Sequence, residues 1–144
     1  MIQGLIKYSL TIFLIVLLSS CGETLDDDTL IRNAIKEMQT AIESKSPMAL
    51  LSHVADDYSD SAGRNYTSLK GLMLGHFLRN RNKKISVYIT AIETDIVGYV
   101  ATATFNAGVT GGTGILPEKA RIVQVETKWR KQDDEWLMTS ATWN

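Results

Sequence analysis

The chain has 144 residues, 15 of them lysine or arginine and 16 aspartate or glutamate, with two histidines and a single cysteine. A formal net charge of −1 offers nothing to a polyanion, so nucleic acid is excluded as a partner. One cysteine cannot close a disulfide within the chain, so packing alone must hold the fold.

Lys7 is the only charge among the first twenty residues, residues 8–18 are almost wholly apolar, and Ser19, Ser20 and Cys21 follow at once. That is the layout of an export signal, since a membrane-spanning helix needs about 20 apolar residues and this run is well short of that. Leu18-Ser19-Ser20-Cys21 resembles the lipobox of bacterial lipoproteins. The resemblance implies cleavage before Cys21, loss of residues 1–20, and acyl chains on the sulfur and amino group of Cys21. Each buried methylene contributes about 0.8 kcal/mol, so several chains anchor stably where one does not. The implied location is the cell envelope, lipid-anchored. In a Gram-negative cell, Gly22 in place of an aspartate implies the outer membrane facing the periplasm. Residues 1–20 carry one lysine and no acid, so fourteen basic side chains then stand against sixteen acidic ones. What remains suits one domain with a real core.

Residues 21–28 are short, polar and acidic, with Asp26, Asp27 and Asp28 in a row, and read as a lipid-attached tether to a domain of residues 29–144. Asp28 or Thr29 can cap a first helix, because Ile31, Ala34, Ile35, Met38, Ala41 and Ile42 recur at helical spacing, with Arg32, Lys36, Gln39, Thr40 and Glu43 on the opposite, wet face. Ser46-Pro47 predicts a second, short helix carrying Leu50, Leu51 and Val54 inward. Thr67 or Ser68 can open a third, whose apolar face holds Leu69, Leu72, Met73 and Phe77.

The period then changes to two. Ile85, Val87, Ile89 and Ala91 alternate with polar residues, and after a turn near Asp95 or Gly98 a second strand runs from Val100 to Phe105. A glycine-rich link, residues 108–117, leads to a third strand with Val123, Val125, Thr127 and Trp129. Asp133-Asp134 turns the chain into a fourth with Trp136, Met138, Ser140 and Thr142. Three helices followed by four antiparallel strands predict an α+β fold, with helices packed on one face of a strongly curved sheet.

The stretch from Met38 to Tyr58, with Ser46-Pro47-Met48-Ala49-Leu50-Leu51 and Val54-Ala55-Asp56-Asp57-Tyr58, resembles the nuclear transport factor 2-like superfamily, which includes SnoaL-like proteins and ketosteroid isomerase. So does the close of the chain, with Trp129-Arg130-Lys131, Trp136-Leu137 and Ala141-Thr142-Trp143. The resemblance implies a cone with a central cavity between helices and sheet. Aligned on ketosteroid isomerase, the oxyanion tyrosine falls on Met38, the general base on Ala62 and the oxyanion aspartate on Val125. None of these can stabilise an enolate, so that activity and its catalytic set are not expected.

Met38, Tyr58, Met73, His76, Tyr88, Val125 and Trp129 are the candidate cavity-lining residues, and a small apolar ligand is the expected occupant. His76 is the one candidate proton carrier among them, with a buried structural histidine the commoner role. His53 sits at the edge of its helix's apolar stripe and carries less weight. Asp56, Asp57 and Asp60 fit no metal loop and read as an exposed acidic turn. Gly108, Gly111, Gly112 and Gly114 match no phosphate loop, because Pro117 and a strand follow. Arg79, Arg81, Lys83 and Lys84 read as a solvated basic loop. No cofactor and no metal is expected. With Asp133 and Asp134 as the turn of the last hairpin, Ile122, Leu137, Ala141 and Trp143 share its outer face and predict a homodimer or an envelope protein partner there.

Overall fold

The computed structural model describes residues 24–111 and 122–144; the expected leader (residues 1–20), Cys21, Gly22 and residues 112–117 of the link lie outside the described residues. In chain order the elements are α1 Asp27–Glu43, α2 Pro47–Leu51, α3 Tyr66–Arg79, β1 Ser86–Val97, β2 Val100–Thr110, β3 Val123–Gln132 and β4 Glu135–Trp143. The four strands form one antiparallel meander in the order β1-β2-β3-β4, and the helices cover one face, as the change of period predicts. None of the described helices is long and apolar enough to cross a membrane.

The aspartate run expected to be tether is instead the start of α1. Asp26 is its N-cap, accepting the Thr29 amide at 2.7 Å, and Asp27 and Asp28 occupy the first turn, where the positive end of the helix favours carboxylates. Both are also tied to the sheet. Asp27 accepts from Lys131 Nζ at 2.8 Å and Trp136 Nε1 at 2.9 Å, and Asp28 accepts from Arg32 and from the Thr94 hydroxyl. Of the three acids in a row, one therefore caps the helix and two tie it to the sheet. At the far end, Lys45 adopts a left-handed conformation (φ 55°), while the Lys45 amide donates to Ile42 O and the Ser46 amide to Ala41 O. This is a Schellman closure made without the usual glycine.

α2 begins at the predicted proline, and α3 begins with a reciprocal cap in which Asn65 and Ser68 each accept the other's amide. The β1–β2 turn is Gly98-Tyr99, with positive φ at Gly98 only, as in a type II′ hairpin; Asp133-Asp134 has positive φ at both positions, as in type I′. Gly111 (φ 84°) presses on the loop before β1, where a Cβ would meet the Lys84 carbonyl oxygen at 1.9 Å.

Two bulges bend the sheet. In β1, Ala91 and Ile92 together face a single residue of β2, with Ala91 at φ 54°, so Ile92, Thr94 and Ile96 take over the inward direction from Val87 and Ile89. In β4, Thr139 is the extra residue, because Met138 pairs with Trp129 and Ser140 with Lys128. Trp136 and Met138 are buried before it, Ala141 after it. The inward face thus changes parity at Thr139.

Neither outer strand leaves its edge bare. Beside β4 the segment after α2 runs alongside, with Met138 N donating to His53 O (2.8 Å), Ala55 N to Met138 O (2.9 Å) and Ser59 N to Thr139 O (3.1 Å). Beside β1 the side chains of α1 do this work. Gln39 donates to Val87 O and Glu43 accepts from Val87 N, each at 2.8 Å, and Arg32 donates to Ile92 O at 2.8 Å. Capping both edges suppresses edge-to-edge aggregation.

Candidate functional site

α1, α3, the segment around α2 and the covered face of the sheet enclose a partly open cavity of about 190 Å³. Carbon makes up nearly all of its wall. α1 supplies Ile35, Met38 and Ile42; the α2 region supplies Leu50, Val54 and Tyr58; α3 supplies Leu69 and Met73; the strands supply Phe105, Ala107, Val125, Trp129 and Trp143 among others. Helical spacing on α1 and strand alternation on β2 and β3 aim these side chains at one point.

Three polar side chains reach the wall, and each already has a partner. Gln39 is bound to Val87 O. Thr127 donates to Ala103 O at 3.0 Å and accepts from Trp129 Nε1 at 2.8 Å, so the indole presents carbon to the cavity. Tyr58 donates to Asp60 at 3.3 Å. Almost none of the surface these groups turn to the cavity is polar.

Behind Tyr58 lies the one buried ionic cluster of this region. Asp60 accepts from the amides of Ala62 (2.9 Å) and Arg64 (3.0 Å) and from Arg64 Nε (2.7 Å), and its side chain is 1% exposed. The Arg64 guanidinium also lies 5.0 Å from the ring centroid of Trp143, a cation-π distance. Burial pushes the Asp60 carboxyl up, but Arg64 and the two amides outweigh it and hold it below the usual carboxylate value. Burial, with Asp60 beside it, pushes the Tyr58 hydroxyl well above its ordinary value, so Tyr58 stays neutral. Hydrogen bonds from Lys131, Arg32 and Arg130 likewise lower Asp27, Asp28 and Asp57.

Of the predicted lining residues, Met38, Tyr58, Met73, Val125 and Trp129 are in the wall. His76 and Tyr88 are not, and both expectations are corrected. The cavity touches α3 only at Leu69 and Met73; His76, a turn further along, is buried against Phe77 (ring centroids 5.9 Å apart) and beside Asn80, whose amide donates to His76 O. The proton-transfer reading of His76 thereby loses its geometry. Tyr88 lies between Val87 and Ile89, which face the cavity, so alternation turns it out to solvent. His53, the other histidine, sits 3.1 Å from Glu37 and also lies outside the wall.

The proposed outer face is corrected too. Ala141 and Trp143 line the cavity, because the bulge at Thr139 inverts the strand beyond it, whereas Ile122 is exposed and Leu137 half-buried. The four residues do not form one surface. Nor do the three aspartates form one exposed turn: Asp60 is buried with Arg64, Asp57 forms a two-pronged pair with Arg130 (2.8 and 3.0 Å), and Asp56 alone is exposed and unassigned to a pair. No cluster of metal-ligating side chains occurs among the described residues. Of the three ketosteroid isomerase positions, Met38 and Val125 line the cavity and Ala62 sits in an exposed turn. The wall residues that sequence reasoning missed include Gln39, assigned to the wet face, and Trp143, assigned to the outer one.

No protein-family model and no curated protein matches the chain. Solved structures do. A nuclear transport factor 2-like (NTF2-like) protein from Cytophaga hutchinsonii superposes with a TM-score of 0.68 at 13% identity, over 83% of this chain and 98% of that one. One from Novosphingobium aromaticivorans, described as having a cystatin-like fold, gives 0.67 at 16% identity over 81% and 80%. Another from Pseudomonas putida gives 0.66 at 13% identity over 85% and 89%. At such identities the likeness concerns the fold alone. Three helices over a bent four-stranded meander, with a cavity between them, are the NTF2-like fold, and this chain has it.

Proposed function

We propose that the protein is a non-catalytic envelope lipoprotein, held to a membrane by lipid on Cys21, whose cavity binds one small, uncharged, apolar molecule. The observation that carries the reading is the wall itself. Almost no polar surface is turned into the cavity, and Gln39, Thr127 and Tyr58 each hold a partner within the protein, so binding draws on apolar contact and a charged group would be desolvated without return. A dry engineered cavity of about 150 Å³ accepts benzene, so the volume here suits a single ring or a short hydrocarbon.

Trp129 and Trp143 in the wall provide the readout. Toluene or cyclohexane is expected to change tryptophan emission and raise the melting temperature, whereas benzoate of matching ring size is expected to do neither. Equal response to toluene and benzoate would defeat the reading. Cys21 is tested separately by the mass of the protein isolated from its own membranes: residues 1–20 absent and fatty acid present.

A further inference from the structure

The end of the molecule that carries the N-terminus of α1 also carries an apolar hairpin tip. Val97, Tyr99 and Val100 flank or form the β1–β2 turn and are 69%, 74% and 56% exposed. Leu25, just ahead of the α1 cap, is exposed as well. A single residue fixes these two features to each other. Lys131 donates its backbone amide to Tyr99 O and its Nζ to Asp27 Oδ1, each at 2.8 Å, so the tip and the first turn of α1 lie within one lysine side chain's span.

We infer that this tip rests in the interface of the bilayer that anchors the protein, with Val97, Tyr99 and Val100 among the lipid headgroups. The inference rests on the anchoring proposed above. Cys21 is four residues before Leu25, a reach of at most about 14 Å, so lipid on Cys21 holds this end and no other against the membrane. Tyrosine flanked by valines has the composition that settles at a membrane interface, with an apolar body and a polar tip. A two-residue turn makes the tip convex and narrow. Three residues on such a point bury far less area than a stable protein interface requires, whereas lipid conforms to them. Asp26, Asp95, Asp133 and Asp134 are exposed at the same end, so the surface it fits is zwitterionic and the contact is apolar.

The full chain, carried on phosphatidylcholine vesicles, tests this with a polarity-sensitive fluorophore on Tyr99→Cys and, at the opposite end of the sheet, on Leu78→Cys; the unsubstituted chain is the blank for any label on Cys21. The mass of each protein reports acylation independently. A blue shift at position 99, absent at 78 and unchanged by salt, is the expected result. An acylated, vesicle-bound protein with no shift at 99 overturns the inference and leaves the anchor standing. A shift at 99 without acylation keeps the tip and removes the anchor, and neither signal removes both.

Discussion

Lys45 holds a left-handed conformation at the close of α1, where a residue with a Cβ costs about 1 kcal/mol against glycine. Lys45→Gly is therefore expected to raise unfolding stability by about that much, read as a higher urea midpoint with an unchanged slope. Asp60 makes a prediction of the opposite sign. Its folded pKa lies below the ordinary 3.8, so the unfolded chain binds the proton more readily, and the stability Asp60 provides at neutral pH is lost as pH falls from 3.8 through the folded value. Asp60→Asn is expected to cost roughly 2 kcal/mol at pH 7, with the gap to the parent narrowing below pH 3.8; urea unfolding at the two pH values measures it. Neither residue is marked in the sequence. A lysine gives no sign that it follows a helix in a glycine's conformation, and Asp60, among Asp56, Asp57 and Ser59, has the composition of an exposed turn although Arg64 draws it inside.

Among the elements, α1 has two working faces. Its apolar stripe was legible because Ile31, Ala34, Ile35, Met38 and Ala41 keep helical spacing through to the core. Its polar stripe looked solvated because nothing local shows that Gln39 and Glu43, one turn apart, would grip both backbone groups of Val87. Replacing both by alanine leaves the backbone groups of Val87 unpaired at that edge. The expected result is a loss of about 1–3 kcal/mol in urea unfolding together with concentration-dependent light scattering, since a bare edge recruits other chains. The strands were placed for the same reason as the helix: a period of two survives over most of each. It fails at Ala91 and Thr139, neither of them the glycine or proline that would announce an irregularity, and beyond Thr139 the faces expected of Ala141 and Trp143 change sides.

At the scale of the whole molecule, the switch from helical to strand period identified the fold class, and the resemblance to NTF2-like proteins implied the cavity. Its extent was not legible: spacing shows which way His76 faces but not how far along α3 the hollow reaches. Ala107→Leu would place three more carbons in that hollow from the middle of β2. The expected outcome is a loss of at least about tenfold in toluene affinity with the fold retained, because filling a void offsets the strain of the larger side chain; circular dichroism and toluene titration check the two halves. The back wall itself depends on strand register at one point. Were Thr139 paired in register with its neighbour instead of bulged out, Ser140 and Thr142 would turn into the hollow and Trp143 into water, so one residue set outside the ladder keeps the aromatic lining in place.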